Sequence, residues 1–125
     1  MAKIAIIEDE TAIAGMYKFK LEQLGHEVRL AINGVEGLKL SETYQPDLIL
    51  LDLMMPEMDG EKMLEKVRAT DWGKDIKVII LTNISNESQP PGLKNLNIAG
   101  YMVKANYTPV QVAEISDTIL TGGKV

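Results

Sequence analysis

The sequence predicts a three-layer α/β sandwich, with a mostly or wholly parallel β-sheet between two layers of helices. Continuous aliphatic runs at residues 4–7, 48–51 and 78–81 are typical of strands that are covered on both faces. Segments with helical periodicity separate these runs. Strands and helices that alternate in this way are joined by right-handed crossovers, which place the strands parallel in one sheet.

Length and composition indicate one globular domain over residues 1–125. A chain of 125 residues can bury one core but not two, and 46% hydrophobic with 25% charged residues is ordinary for a globular protein. The chain has no cysteine, which excludes disulfides and thiolate metal sites. The net charge of −5 disfavours direct binding to nucleic acid, so we expect a protein partner. No segment resembles a signal peptide or a membrane span, and we expect a cytoplasmic protein without membrane contact.

The first helix is predicted from four apolar residues on one helical face: Ile13, Tyr17, Leu21 and Leu24. It should end near Gly25, because glycine can adopt the left-handed conformation that ends many helices. The next strand has an apolar residue at every second position: Val28, Leu30 and Ile32. This period of two indicates one exposed face and therefore an edge strand.

Capping residues mark the remaining helices. Asn33, with Glu36 three residues later, should begin the second helix, which must stop before Pro46. The third helix should follow Asp59-Gly60, with a buried face of Met63, Leu64 and Val67. After a fifth strand at residues 99–103, the last helix should run to Gly122-Gly123. Its start has Thr108 as cap, Pro109 at the first position and Gln111 completing a capping box, and its buried face should be Val112, Ile115 and Ile119.

Chemically useful side chains stand at the carboxyl ends of four predicted strands, where ligands bind in folds of this class. They are Glu8, Asp9, Asp52, Thr82 and Lys104. Three crowded carboxylates repel one another, so a divalent cation or retained protons must offset the repulsion, and hard oxygen ligands suit Mg²⁺. With a phosphoryl group present, Asp52 can attack phosphorus, while Thr82 and Lys104 can bind the phosphoryl oxygens.

Four segments resemble the signature segments of response regulator receiver domains. They are IIEDE at residues 6–10, DLMMPEMDG at 52–60, LT at 81–82 and YMVK at 101–104. The order and spacing match along essentially the whole chain. The resemblance implies a flavodoxin-like (βα)5 fold with five parallel strands in the order 2-1-3-4-5.

The resemblance also implies the role of each site residue. Asp52 would be the phosphoacceptor, modified to 4-aspartylphosphate, and Thr82 and Lys104 would bind the phosphoryl oxygens. The magnesium ligands would be Glu8, Asp9, Asp52 and the backbone carbonyl of Met54. Thr82 and Tyr101 would be switch residues, although Tyr101 can equally be a packing aromatic at the edge of the sheet.

The function implied is that of a phosphorelay response regulator in two-component signalling. A sensor histidine kinase or phosphotransfer protein would phosphorylate Asp52, and the change would alter binding to a downstream protein or an effector domain. The chain would then catalyse only its own phosphoryl transfer and dephosphorylation and would not be an enzyme. A phosphorylation-independent interaction module of the same fold is the alternative.

Two further classes are disfavoured. An aspartate-dependent phosphatase needs a second aspartate as acid and base, which the run Asp52-Leu53-Met54 lacks. A flavin-binding protein would need hydrogen-bond donors for the flavin phosphate where this pocket is acidic.

Three positions depart from the family pattern. Asn83 replaces a small residue, and its amide can narrow access to the phosphoryl site or bind the phosphate. Ala105 replaces a proline that is often preceded by a cis bond; a cis bond to alanine would cost roughly 3 kcal/mol, so the bond is strained or the loop has moved. The run Pro90-Pro91-Gly92 disfavours a regular helix over residues 87–96. We expect a helix from about Pro91 or a loop over residues 84–92, and weaker dimerisation through this region.

The remaining candidates have structural interpretations. Four methionines should fill the core or pack under loops: Met54, Met55, Met58 and Met63. His26 has no metal-ligand partner nearby in sequence, and we expect it at the surface beside the Gly25 turn, with no role as a phosphodonor.

Overall fold

Five parallel strands form a single sheet in residues 1–122, which are the residues that the computed structural model describes. The strands are β1 (Lys3–Ile7), β2 (Glu27–Ala31), β3 (Leu48–Leu51), β4 (Lys77–Thr82) and β5 (Gly100–Val103). Their order is β2-β1-β3-β4-β5, as the family resemblance implied. The α-helices of this part of the chain are α1 (Thr11–Gln23), α2 (Gly34–Tyr44), α3 (Gly60–Arg68) and α4 (Pro109–Leu120).

The aliphatic runs form the three central strands and contribute to both faces of the sheet. Alternate residues of β1, β3 and β4 point to opposite sides, as the pleat requires. On one side, Ile4, Ile6 and Leu50 pack with Tyr17 of α1 and Val112 of α4. On the other side lie the buried residues of α3 and their strand partners: Ala5, Ile7, Ile49, Leu51, Met63, Leu64 and Val67. The prediction of a parallel sheet covered by helices on both faces is confirmed.

The edge position of β2 is confirmed, but its predicted alternation is wrong. Val28 and Ala31 are buried in the clusters on opposite faces of the sheet, whereas Leu30 is 39% exposed and Ile32 lies beyond the strand end. Both faces of this sheet are covered by helices even at its edge. A period of two, which requires one solvated face, therefore does not describe β2.

The predicted face of α1 is partly confirmed. Tyr17 and Leu21 are buried and Ile13 packs against them, but Leu24 is 48% exposed. The prediction for Leu24 is wrong because α1 ends at Gln23, so that residue 24 no longer follows the helical face. Gly25 has φ +90°, the left-handed conformation expected after the helix.

The predicted caps of the other helices are present. Asn33 Oδ1 accepts a hydrogen bond from Glu36 N at 2.8 Å, and Thr108 and Gln111 form the reciprocal capping box of α4. Val112 and Ile119 are buried, Ile115 is half-buried, and Gly122 has φ +85°. The expected end at Gly123 lies outside the described residues. Among the described helices, none combines the length and apolarity needed to cross a membrane.

The segment between β4 and β5 contains two 3₁₀ helices instead of an α-helix: Asn86–Ser88 and Pro91–Asn95. Pro90 is extended, with ψ 131°, because the following proline disfavours helical geometry at residue 90. The second 3₁₀ helix starts at Pro91, where the prediction placed a helix start. The described chain therefore has four α-helices, and a 3₁₀ segment stands in the place of the fifth.

His26 is buried, so the expectation of a surface histidine is wrong. Its Nδ1 accepts a hydrogen bond from Ala2 N at 3.1 Å, and its Nε2 lies 2.8 Å from Asp117 Oδ1. With Nδ1 accepting, Nε2 carries the proton and donates to Asp117. His26 thus joins the N-terminal segment and the start of β2 to the last turns of α4.

Candidate functional site

The loops at the carboxyl edge of the sheet bring three carboxylates together. Glu8 directly follows β1, and Asp52 directly follows β3. Carboxylate oxygens of Glu8, Asp9 and Asp52 all lie within 4.8 Å of one another. Asp9 is exposed, whereas Glu8 is 3% and Asp52 5% exposed. The pocket therefore has two buried acids and one acid at its rim.

Lys104 provides the positive charge of this pocket. Its ammonium contacts the Glu8 carboxylate, lies 3.0 Å from Asp52 Oδ2 and lies 3.4 Å from Glu10 Oε1. Lys104 begins a short 3₁₀ helix over Lys104–Asn106 directly after β5, and its bond to Ala105 is trans. Ala105 stands where the family pattern has proline. The bond before it is an ordinary trans bond, and the Lys104 ammonium lies at the acidic pocket.

Burial and charge shift the pKa values of Glu8 and Lys104. Burial raises the pKa of Glu8 to about 7, and the Asp52 charge adds to this rise, while hydrogen bonds from Lys104 and from the Glu10 N–H oppose it. Burial lowers the pKa of Lys104, but the hydrogen bonds to Glu8 and Asp52 outweigh it and raise that pKa above its ordinary value. The lysine is therefore a permanent cation at neutral pH.

The backbone after β3 holds Asp52 in place. Asp52 N donates to Ile7 O at 3.1 Å, and Asp52 Oδ1 accepts from Met54 N at 3.1 Å. The start of α3 packs directly against this backbone, since a Cβ atom at Gly60 would lie 2.2 Å from the carbonyl oxygen of Asp52. A glycine at position 60 is thus required for α3 to approach the residue that carries the central carboxylate.

A tight turn separates Asp52 from α3. Met58 N donates to Pro56 O at 2.9 Å, and the residue between them, Glu57, has φ +69°. This combination is a γ-turn of the strained type, which residues with a side chain rarely adopt. Asp59 then caps α3 by accepting from Lys62 N at 2.8 Å.

Thr82 lies on β4, which is next to β3 in the sheet, and Tyr101 lies on the edge strand β5. Thr82 is the last residue of β4 and is fully buried, and its Oγ1 accepts a long hydrogen bond of 3.5 Å from Ile84 N. The Tyr101 hydroxyl donates to Ile84 O at 2.9 Å, which ties β5 to the loop after β4. Burial raises the pKa of Tyr101, and the charge of Asp52 contributes to the rise. Asn83 is exposed.

The methionines divide into two groups. Met63 is fully buried in the hydrophobic cluster between α3 and the sheet. Met55 and Met58 are half-buried against that cluster, as predicted. Met54 is 61% exposed, so its interpretation as packing is wrong. Its backbone N–H donates to Asp52 Oδ1 at 3.1 Å.

Sequence reasoning assigned no role to Glu10, although the residue stands within the quoted IIEDE segment. Its contact with Lys104 joins residues 94 positions apart. Glu10 precedes the first residue of α1, at the N-cap, where glutamate is unusual. An unusual residue at a helix cap was the available signal that its side chain has another partner.

Comparison with known proteins decides the family. The profile described as "Response regulator receiver domain" matches residues 4–116. The chain belongs to this family. Receivers of this family are response regulators of two-component phosphorelays and carry no enzyme class of their own. The family uses Mg²⁺ at an acidic pocket, and a cluster of acidic residues is present here.

Relatives and solved structures agree with this family. The DNA-binding dual master transcriptional regulator RpaA of Synechocystis sp. is 40% identical over 82 residues, which are 66% of this chain and 34% of RpaA. The alkaline phosphatase synthesis transcriptional regulatory protein PhoP of Bacillus subtilis is 41% identical over 66 residues, 53% of this chain and 28% of PhoP. The matched part of the receiver thus spans about a third of the length of these relatives.

The fold agreement extends over nearly the whole receiver. A CheY-like response regulator receiver domain protein from Methanospirillum hungatei has a TM-score of 0.87 and 29% identity, and the match covers 98% of this chain and 95% of that chain.

Proposed function

We propose that this receiver accepts a phosphoryl group on Asp52 in a magnesium-dependent reaction, and that phosphorylation changes which partner it binds. The observation that carries the proposal is the convergence of three carboxylates with the ammonium of Lys104, which lies 3.0 Å from Asp52 Oδ2. This arrangement has a nucleophile, acids able to hold a metal, and a fixed cation for phosphoryl oxygens.

In the proposed step, an Asp52 carboxylate oxygen attacks phosphorus and forms a new O–P bond. The bond between phosphorus and the leaving atom of the donor breaks, and its electron pair departs with that atom. Lys104 Nζ and the Thr82 hydroxyl would donate to the phosphoryl oxygens, where negative charge accumulates. The burial of Asp52 keeps its carboxylate desolvated for the attack.

The donor set fits magnesium, because all the available ligands are hard oxygens around an open position. The residues that would hold the ion are Glu8, Asp9, Asp52 and, through its backbone carbonyl, Met54. When bound, the ion supplies positive charge that offsets the repulsion between these carboxylates and an incoming phosphoryl group.

The proposed phosphodonor is a sensor histidine kinase or a phosphotransfer protein. RpaA and PhoP are transcriptional regulators about three times as long as the segments that match, so the output is proposed to be an effector domain or a separate downstream protein. We propose that residues 1–125 form one receiver domain. Its net charge of −5 disfavours direct binding to nucleic acid, so any such binding is proposed to belong to the effector. Thr82 and Tyr101 are the proposed switch residues.

The test is the intact mass of the protein after incubation with Mg²⁺ and acetyl phosphate. The wild type should gain one phosphoryl group and Asp52→Asn none, because an amide is not a competent nucleophile here. Asp9→Asn and Lys104→Ala should react more slowly, since they weaken binding of the metal or the phosphoryl group.

The control variant is Asp71→Asn, which removes an exposed aspartate from the loop after α3 and should react like the wild type. Equal modification of Asp52→Asn and the wild type would refute the assignment. An unmodified wild type would favour the phosphorylation-independent interaction module.

A further inference from the structure

All three N–H donors of Lys104 face carboxylates. The ammonium contacts Glu8, lies 3.0 Å from Asp52 Oδ2 and lies 3.4 Å from Glu10 Oε1. A phosphoryl oxygen on Asp52 that accepts a hydrogen bond from Lys104 must therefore replace one of these partners.

Glu10 is the partner that can be replaced at the lowest cost. Its side chain is 61% exposed and makes the longest of the three contacts, whereas Glu8 and Asp52 are buried. A carboxylate that leaves Lys104 from an exposed position returns to water, while a buried one would lose its ion pair and keep a single backbone hydrogen bond, from Glu10 N for Glu8 or from Met54 N for Asp52.

The backbone of Glu10 keeps its side chain at the mouth of the pocket. Glu10 N donates to Glu8 Oε2 at 3.1 Å. Glu10 is also the N-cap residue of α1, yet its side chain makes no capping hydrogen bond to that helix. The side chain is directed to Lys104, on a loop 94 residues away.

We propose that Glu10 is a positioning residue that occupies the third donor of Lys104 until a phosphoryl oxygen displaces it, and that its charge slows phosphorylation by anionic donors. This inference rests on the proposed role of Asp52 as phosphoacceptor. The Glu10 carboxylate repels a phosphate-containing donor as it enters and competes with it for the same ammonium.

The test is the initial rate of Asp52 phosphorylation by acetyl phosphate with Mg²⁺, followed by intact mass. Glu10→Gln keeps the length of the side chain and removes its charge. It should react roughly two- to fivefold faster at about 0.02 M ionic strength, which is the range expected for one exposed ion pair. The gain should shrink at about 0.5 M, because salt screens exposed charges.

Two further variants separate charge from structure. Glu10→Ser removes the carboxylate and adds a better cap for α1, so it should show the same gain if the charge is responsible and not a weakened helix. Glu114→Gln removes one negative charge from an exposed position on α4 and should react like the wild type.

Equal rates for Glu10→Gln and the wild type at low ionic strength, with Asp52 modified in both, would overturn the role of Glu10 alone. A gain that persists undiminished at high ionic strength would overturn it as well. An unmodified wild type would remove the proposed function and this inference together.

Discussion

At the scale of single residues, Gly60 shows how closely α3 approaches the site. A Cβ atom at this position would lie 2.2 Å from the carbonyl oxygen of Asp52, which is backbone and can move only with its loop. We expect Gly60→Ala to lower the free energy of unfolding by about 1–3 kcal/mol, the usual cost of overpacking. Urea unfolding measures the change.

Gly15→Ala is the matched control for Gly60. A Cβ atom at residue 15, inside α1, would have no other atom within 4 Å. The same substitution should there raise the free energy of unfolding by about 0.5–1 kcal/mol, because alanine favours a helix over glycine. Equal changes in the free energy of unfolding at residues 15 and 60 would show that the close contact with the Asp52 carbonyl does not make alanine unfavourable at position 60.

Glu8 makes stability depend on pH when no metal is bound. Burial raises its pKa from 4.5 to about 7 in the folded chain. The folded state therefore binds the proton more tightly than the unfolded chain does. The protonated Glu8 contributes its whole stabilisation to the free energy of unfolding below about pH 4.5, and this stabilisation is lost as pH rises through about 7. We expect a loss on the order of 3 kcal/mol from this group.

Urea unfolding at several pH values, in a chelating buffer, measures this loss. Glu8→Gln cannot ionise, so its free energy of unfolding should decline less than that of the wild type across this pH window. Parallel pH profiles for the two proteins would contradict the raised pKa of Glu8.

At the scale of elements, Arg68 joins the end of α3 to two loops. Its guanidinium donates hydrogen bonds of 2.7–3.1 Å to four backbone carbonyl oxygens: Gly73, Ile76, Leu96 and Asn97. Burial lowers the pKa of Arg68, although arginine remains charged at neutral pH. These bonds hold together the loops that precede β4 and β5.

We expect Arg68→Met to lower the free energy of unfolding by about 2–4 kcal/mol, because partly buried carbonyl groups lose a charged donor. Lys66→Met, at an exposed position of the same helix, should change it by less than about 0.5 kcal/mol. Thermal or urea unfolding of the two variants compares them directly, and similar losses would show that Arg68 contributes no more than surface charge.

At the scale of the whole molecule, the acids and Lys104 join the loops that follow β1, β3 and β5. A ligand that binds only the folded arrangement stabilises the entire chain. We expect Mg²⁺ with beryllofluoride, a phosphoryl mimic, to raise the free energy of unfolding by about 2.7 kcal/mol at a hundredfold excess over Kd. Differential scanning fluorimetry should show a rise in Tm of several degrees for the wild type. The same additions should leave the Tm of Asp52→Asn nearly unchanged, and no rise in the wild type would count against the site.

Local patterns were sufficient to predict most of the fold. The aliphatic runs identified the central strands, Asn33 and Thr108 identified helix starts, and Pro90-Pro91 identified the segment that is not an α-helix. These signals depend on sterics and hydrogen bonds within a few residues, so they are readable without the rest of the chain. The acids and Lys104 were predictable as a group because parallel strands bring their carboxyl ends to one edge.

Only the tertiary structure decided which distant side chains meet. The buried His26 meets Asp117, 91 residues away, and Glu10 reaches Lys104, 94 residues away. The exposure of Leu30 and burial of Ala31 likewise depend on where helices cover the edge strand. The sequence by itself determined the positions of the strands, the caps and which acids and lysine stand at the carboxyl edge of the sheet, since each follows from local patterns or strand direction. The packing of helices on the sheet determined the pairings, because a contact between residues so far apart depends on the crossing of whole elements and leaves no local pattern.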